Sequence, residues 1–407
     1  MSPIYRKEEA GGRQRLNCLI SFEQNSGKDY MRNSRRSDVA SFIAMDVMEE
    51  ARKLELSGKS IVHMEVGQPH VGAPRKAREA LVRALDTENL GYTVALGLPA
   101  LRVGIANLYR DWYGLELNPD RVIVTSGSSG AFLLAFTSLF DSGETVGVPE
   151  PGYPSYRQIL KALGLTPVGL PTFNANRHIP ILPYRKLNGL VLASPANPTG
   201  TMLAKSALNS LIIECSEKNI SFISDEIYHG INYEQKVTSA LEISDDVYVI
   251  NSFSKYFSMT GWRVGWMVVP EMHIRKIERL AQNMFICASH AGQVAALGAL
   301  SAKEDAERLK NLYKVNRDLI IKSLPYLGVK LAAPPDGGFY VYADISSKMV
   351  DSLELSRDIL HKVGVAITPG VDFDPIRGNT TIRLSYAQDQ NSIRDGLARL
   401  KKYFLLN

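Results

Sequence analysis

Four polar clusters, each placed just after a short apolar run, carry the residue types that could do chemistry. The most informative is Ser252-Phe253-Ser254-Lys255, followed by Met259-Thr260-Gly261-Trp262-Arg263-Val264-Gly265-Trp266. A lysine directly after the hydrophobic run Val247–Ile250 is poorly placed for solvent. Shielded from water, its ammonium loses a proton more readily, and the neutral amine is a nucleophile able to form an imine. Two serine hydroxyls and an arginine close by suit a dianionic phosphate. A second cluster, Thr125-Ser126-Gly127-Ser128-Ser129-Gly130, feeds a helix expected to start near Ala131. Unpaired N–H groups and the positive dipole end at such a turn can bind an anion. The cluster is neither G-x-G-x-x-G nor a P-loop, and taken alone it reads as an ordinary strand-to-helix turn rather than a phosphate cradle. In Ser194-Pro195-Ala196-Asn197-Pro198-Thr199-Gly200, two prolines bracket Asn197 in a rigid turn. In Asp225-Glu226-Ile227-Tyr228, an acid ends a buried run and needs a partner there. Alone, this last cluster reads as a helix N-cap with a packing tyrosine.

The elements that must hold these clusters are also readable. Runs rich in β-branched residues lie at 121–125, 145–148, 189–193, 221–224, 247–250 and 264–269, separated by helical stretches. This alternation predicts an α/β unit on a largely parallel sheet buried on both faces, with chemistry at the carboxyl ends of its strands. A helical pattern from about Asp38 to Leu56 has Asp38 as the expected N-cap and Gly58 as its stop. After about residue 300, charged helices near 303–322 and 353–363 alternate with strands near 339–343, 365–367 and 381–385. The expected organisation is a basic extension over 1–36, a helix over 37–60, a large domain over 61–300 and a smaller α+β domain over 301–407.

Composition narrows the classes. Hydrophobic residues at 45% and charged residues at 22% describe an ordinary globular protein rather than a disordered one. Residues 1–36 hold eight basic and four acidic side chains, so about +4 of the net +5 sits there and the body is nearly neutral. That stretch reads as a solvated extension without the apolar segment of a secretory signal. It is also too short for a helix-turn-helix, which argues against a DNA-binding regulator. Three cysteines with no C-x-x-C pair suggest neither a disulfide framework nor a zinc site, and the natural compartment is a reducing cytoplasm. The seven histidines follow no metal spacing, and His229 reads as structural.

Taken in order, N-P-x-G, D-E-x-Y, S-x-S-K and G-x-R-x-G resemble the class I/II aminotransferases, the fold-type I enzymes dependent on pyridoxal 5′-phosphate (PLP). The resemblance runs from about Ile61 to Leu384 and implies a mostly parallel seven-stranded sheet in the large domain. It implies that Lys255 binds the cofactor covalently and shuttles the substrate proton, and that Asp225 keeps the pyridine nitrogen protonated. Tyr228 and Asn197 would bond the phenolic oxygen, and Tyr153 would stack on the ring. Ser128, Ser129, Ser252, Ser254 and Arg263 would hold the phosphate, joined by Tyr92 from a neighbouring subunit, which makes a homodimer the expected assembly. Arg383, with Asn197 and the backbone of Gly67, would hold the substrate α-carboxylate. The expected reaction is ping-pong transamination between an L-amino acid and a 2-oxo acid. A carbon–sulfur lyase or an aminocyclopropane-carboxylate synthase on the same fold is the alternative. Gly67 is followed by Gln68-Pro69-His70-Val71, where many members have an acidic run. Val71, with Tyr153, Tyr92 and Phe373, hints at an apolar or aromatic substrate.

Overall fold

The structure, a computed structural model, describes residues 31–172, 178–349 and 351–406. The first thirty residues of the expected basic extension, with Cys18, lie outside the described residues. Helix α1 (Ile43–Leu56) and strand β1 (Val62–His63) come first, then α2 (Arg75–Thr87) and α3 (Pro99–Tyr113). The apolar runs in the middle of the chain become β2 (Val122–Thr125), β3 (Thr145–Glu150), β5 (Gly189–Ala193), β6 (Ser221–Asp225), β7 (Tyr248–Ser252) and β8 (Gly265–Val268). With β4 (Thr166–Pro171) they form one seven-stranded sheet in the order β2-β8-β7-β6-β5-β3-β4. β8 alone runs opposite to the other six strands.

Both faces of this sheet are covered, by α4 (Gly127–Leu139), α5 (Pro154–Ala162), α6 (Lys205–Glu217), α7 (Ile274–Met284) and α8 (His290–Ala299) among other elements. The strands show why their sequences are continuously apolar. In β5, Leu190 and Leu192 enter one hydrophobic cluster while Val191 enters the other. Likewise in β7, Val249 faces one cluster, and Tyr248 and Ile250 face the opposite one. A strand buried on both sides cannot alternate apolar with polar.

β4 was not among the expected strands, because Pro167, Gly169 and Pro171 argue against one. It is the sheet's edge and pairs only with β3, a position where a missing N–H donor is tolerated.

The remaining elements are α9 (Lys303–Ser323), β9 (Lys330–Leu331), β10 (Tyr340–Asp344), α10 (Ser352–Val363), β11 (Val365–Ala366), β12 (Thr368–Pro369), β13 (Thr381–Ser385) and α11 (Gln390–Leu406). An antiparallel sheet has the order β12-β13-β10-β9, and β1 pairs in parallel with β11. Val47 and Ala51 of α1 pack on Leu360 and Ala366.

Asp38 does not cap α1. The helix begins five residues later, and Phe42 at its N-cap position makes no side-chain bond. The cap comes from Asp372, whose carboxylate accepts from Ile43 N at 3.0 Å and Ala44 N at 3.1 Å.

The register places the chemistry. Ala193 pairs with Asp225, and Asp225 with Ile250, so the carboxyl ends of β5, β6 and β7 lie side by side. β8 then abuts both β7 and β2, with Gly265 opposite Ser252 and Thr125. A Cβ at residue 265 would stand 2.8 Å from Gly127 C and Ser128 N. Glycine there lets the start of α4 close in on the sheet.

Candidate active site

A cavity of about 210 Å³ opens where these strand ends meet the antiparallel sheet. Lys255, in the turn after β7, enters it from the large sheet, and its Nζ donates to the carbonyl of Gly67 at 2.7 Å. Burial, aided by the like charges of Arg383 and Arg263, lowers its ammonium from 10.5 to about 8. Asp225 ends β6 at the same cavity. Burial raises its carboxyl from 3.8 to about 6, opposed by hydrogen bonds from Tyr156 Oη and, at 3.1 Å, Ile227 N. Lys255 opposes the rise as well.

One end of the cavity is built to receive an anion. Ser128, Ser129, Ser254, Thr260 and Arg263 line it, at the first turn of α4, whose N-cap residue Ser126 provides no side-chain bond. Gly127 has φ +70°, and a Cβ there would come within 2.5 Å of Arg263 Nη2. Glycine at 127 therefore suits the left-handed backbone there and lets the Arg263 guanidinium lie against the head of the helix. Ser252 faces away from this space. Its Oγ lies 3.1 Å from Val264 O and 2.9 Å from Ser254 Oγ, donating its one hydrogen between them, and accepts from Ser254 N, so it supports Ser254 rather than lining the cavity.

The opposite end is held by Arg383 in β13. Its Nη1 donates to Asn197 Oδ1 at 2.8 Å, and its Nη2 donates to Glu65 O and Thr368 Oγ1. The guanidinium lies 4.2 Å from the ring centre of Tyr340 and 4.6 Å from that of Phe373. Asn197 here contacts the arginine. Tyr228 Oη meets Tyr340 Oη at 2.9 Å, and burial together with Tyr340 holds its phenol well above the ordinary range. Tyr153 lines the wall between the two ends, edge-on to Tyr156 at 5.3 Å.

Of the expected site residues, Gly67, Ser128, Ser129, Tyr153, Asn197, Asp225, Tyr228, Ser254, Lys255, Arg263 and Arg383 come together here. Tyr92 does not, being 82% exposed on this chain. Val71 belongs to a separate surface cavity with His70, Arg78 and Tyr256, because the loop leaves the site after Gln68. Phe373 reaches the site only through Arg383. His229 is buried outside the cavity, with Nε2 on Ser194 O at 2.8 Å, and burial lowers it to about 4.

The sequence reading missed Tyr156, Tyr340 and Phe42. Tyr156 stands three residues after Tyr153, a spacing that puts both on one side of α5. That was the available signal.

Residues 59–400 match the family described as aminotransferase class I and II. The valine–pyruvate aminotransferase of Mycobacterium tuberculosis is 41% identical, over 90% of this chain and 96% of that one. The (5-formylfuran-3-yl)methyl phosphate transaminase of Methanocaldococcus jannaschii is 34% identical, over 92% and 99%. A crystal structure of an aminotransferase from Silicibacter pomeroyi superposes with a TM-score of 0.88 at 56% identity, covering 93% of this chain and all of that one. The expected α/β fold with its mostly parallel seven-stranded sheet is the one found, and the relatives lend no support to a lyase or cyclase. The chain therefore belongs to the class I and II aminotransferases, and its reaction is the transfer of an amino group.

Proposed function

We propose that this aminotransferase holds PLP on Lys255 and moves the amino group of an L-amino acid to a 2-oxo acid. One observation carries the reading. A lysine amine with a lowered pKa lies in the same cavity as a buried carboxylate, an anion cradle and a buried arginine. Those four features fit the aldehyde, pyridine nitrogen, phosphate and substrate carboxylate of one bound pair. When bound, PLP supplies an electron sink for negative charge at the substrate α-carbon.

The chain's own residues divide the remaining work. Ser128 and Ser129 at the head of α4, with Ser254 and Arg263, bind the phosphate as a dianion. Tyr153 packs on the ring. Asp225, fixed by Tyr156 and Ile227 N, presents its charge to the ring nitrogen. Buried without a cation, it is costly, and a cationic partner relieves that cost. Tyr228 and Asn197 face the phenolic oxygen. Lys255, once free, carries a proton to and from the α-carbon. Arg383 orients the α-carboxylate.

A homodimer is part of the proposal. Tyr92, Val94 and Val71 are large apolar side chains left exposed on one chain, and a second copy would cover them. The proposed location is the cytoplasm, supported by the small cysteine complement, which has no C-x-x-C pair.

Purified protein supplied with PLP should turn yellow. The band should fade on adding an amino acid and return with a 2-oxo acid. Fading with release of ammonia and no need for an acceptor would overturn transamination, and a protein that stays colourless would overturn the cofactor assignment.

The pH dependence follows from Lys255. Only the neutral amine attacks an aldehyde, and its proton leaves at about pH 8. Capture of PLP by the cofactor-free protein should accelerate about tenfold per unit as pH rises toward that value, then level off. Stopped-flow absorbance measures this, and a flat profile would contradict the assigned amine.

A further inference from the structure

We infer that the first turn of α1 makes this a site for neutral, apolar amino-acid side chains, with Asp372 as the residue that closes the helix terminus to a distal carboxylate. The inference rests on the transaminase reading of the same cavity.

Among the described residues lining the cavity, the cations are Lys255, Arg263 and Arg383. Each already has a task, at the reacting carbon, the phosphate and the α-carboxylate. The wall left for the substrate side chain consists of Phe42, Ala44 and Met45 from α1, with Val66 and Gln68 from the loop after β1. Phe42 stands edge-on to Tyr153, with ring centres 5.8 Å apart, which extends the apolar surface toward the ring-binding wall.

The one feature of this wall that could attract a second carboxylate is the start of α1. A helix N-terminus with free amides is an anion site. Here it is already occupied. Asp372, 6% exposed, accepts from both Ile43 N and Ala44 N. Asp46 adds a second negative charge to the same turn. An incoming aspartate or glutamate would find the amides of this turn already taken by Asp372, and among the described lining residues no uncommitted cation to meet its side-chain carboxylate, and an unpaired charge in such a place is strongly disfavoured.

Asp372 is also tied to the substrate clamp. Its chain neighbour Phe373 packs on the Arg383 guanidinium, and Phe373 O accepts from Gly152 N at 3.1 Å. The cap that shapes the side-chain wall and the arginine that orients the substrate are thus held by one short loop.

The test uses the PLP-loaded protein. Titration calorimetry with 3-methylbutanoate and with maleate reads the pocket without turnover, and kcat/KM for valine, leucine, aspartate and glutamate reads it during reaction. The apolar ligands should be preferred on the order of 100-fold. Asp372→Asn, which keeps an acceptor but removes the charge, should raise the kcat/KM of aspartate relative to valine by roughly fivefold. Met45→Arg, which supplies the missing cation and leaves the cap intact, should raise it further. Maleate binding as tightly as 3-methylbutanoate to the wild type would overturn the inference, since a cation from elsewhere would then serve the site. So would a Met45→Arg variant with unchanged preference. If no amino acid is turned over while the calorimetric preference stands, the transaminase reading fails and the pocket assignment survives.

Discussion

Lys255→Ala abolishes covalent capture of PLP and lowers kcat by at least ~10⁴-fold, yet it leaves the cofactor-free protein as stable as before or more so. The loss of turnover follows from removing both the attacking amine and the group that carries the proton. The stability effect has a separate origin. Folding lowers the ammonium of Lys255 from 10.5 to about 8. Between those pH values the unfolded chain binds the extra proton, so stability rises with pH through that window. At neutral pH the folded protein therefore carries a charge it disfavours, placed near Arg383 and Arg263. Alanine removes that cost and loses one hydrogen bond, to Gly67 O, a carbonyl that water in an open cavity can satisfy. The expected change in melting temperature is a rise of about 2 °C in scanning calorimetry. Adding PLP should raise the melting temperature of the wild type well above that of the variant, because only the wild type gains a covalent ligand. A variant that melts well below the wild type would mean that Lys255 is a structural residue. A variant that keeps its turnover would remove it from the site.

The parts of this protein legible in its sequence are those fixed by short-range pattern. β5, β6 and β7 announce themselves because burial on two faces demands continuous apolar residues. The polar clusters after them are conspicuous because polar groups otherwise have no reason to follow such runs. The resemblance then orders these clusters into one site, and the structure brings eleven of the expected residues to one cavity. What the sequence hides is decided by contacts across long stretches of chain. The cap of α1 comes from a residue 329 positions away, so the nearer Asp38 is a natural but wrong choice. Tyr156 reads as a packing aromatic until the fold sets it against Asp225, 69 positions on. Ser252 and Ser254 are alike in sequence, yet the turn points only one of them at the cavity. β4 hides behind its prolines, because nothing in its own residues says that it will be an edge.

Arg383→Lys should reduce kcat/KM for both amino and oxo acids by roughly 10²–10³-fold while PLP stays bound and yellow. The charge is kept, so a simple point attraction would predict a small change. The geometry predicts a large one. Three hydrogen bonds, to Asn197 Oδ1, Glu65 O and Thr368 Oγ1, fix the plane of the guanidinium, and the rings of Tyr340 and Phe373 pack against it. A guanidinium held this way keeps its plane fixed with a further Nη1–H for a carboxylate, and lysine offers neither the plane nor enough donors to hold its neighbours and the substrate together. Its ammonium would also leave some of those three acceptors without a donor, in a place where Arg383 itself is only 1% exposed. Arginine's buried Nε–H already has no partner among the described residues. The loss should fall mainly on KM, since a saturating substrate still meets Lys255 and Asp225 unchanged. Steady-state kinetics with one amino donor and one oxo acceptor separate the cases. Equal loss in both half-reactions with kcat largely retained supports a carboxylate clamp. A fall in kcat alone would move Arg383 from binding the substrate to supporting the chemistry, and an unchanged kcat/KM would place the carboxylate site elsewhere in the cavity.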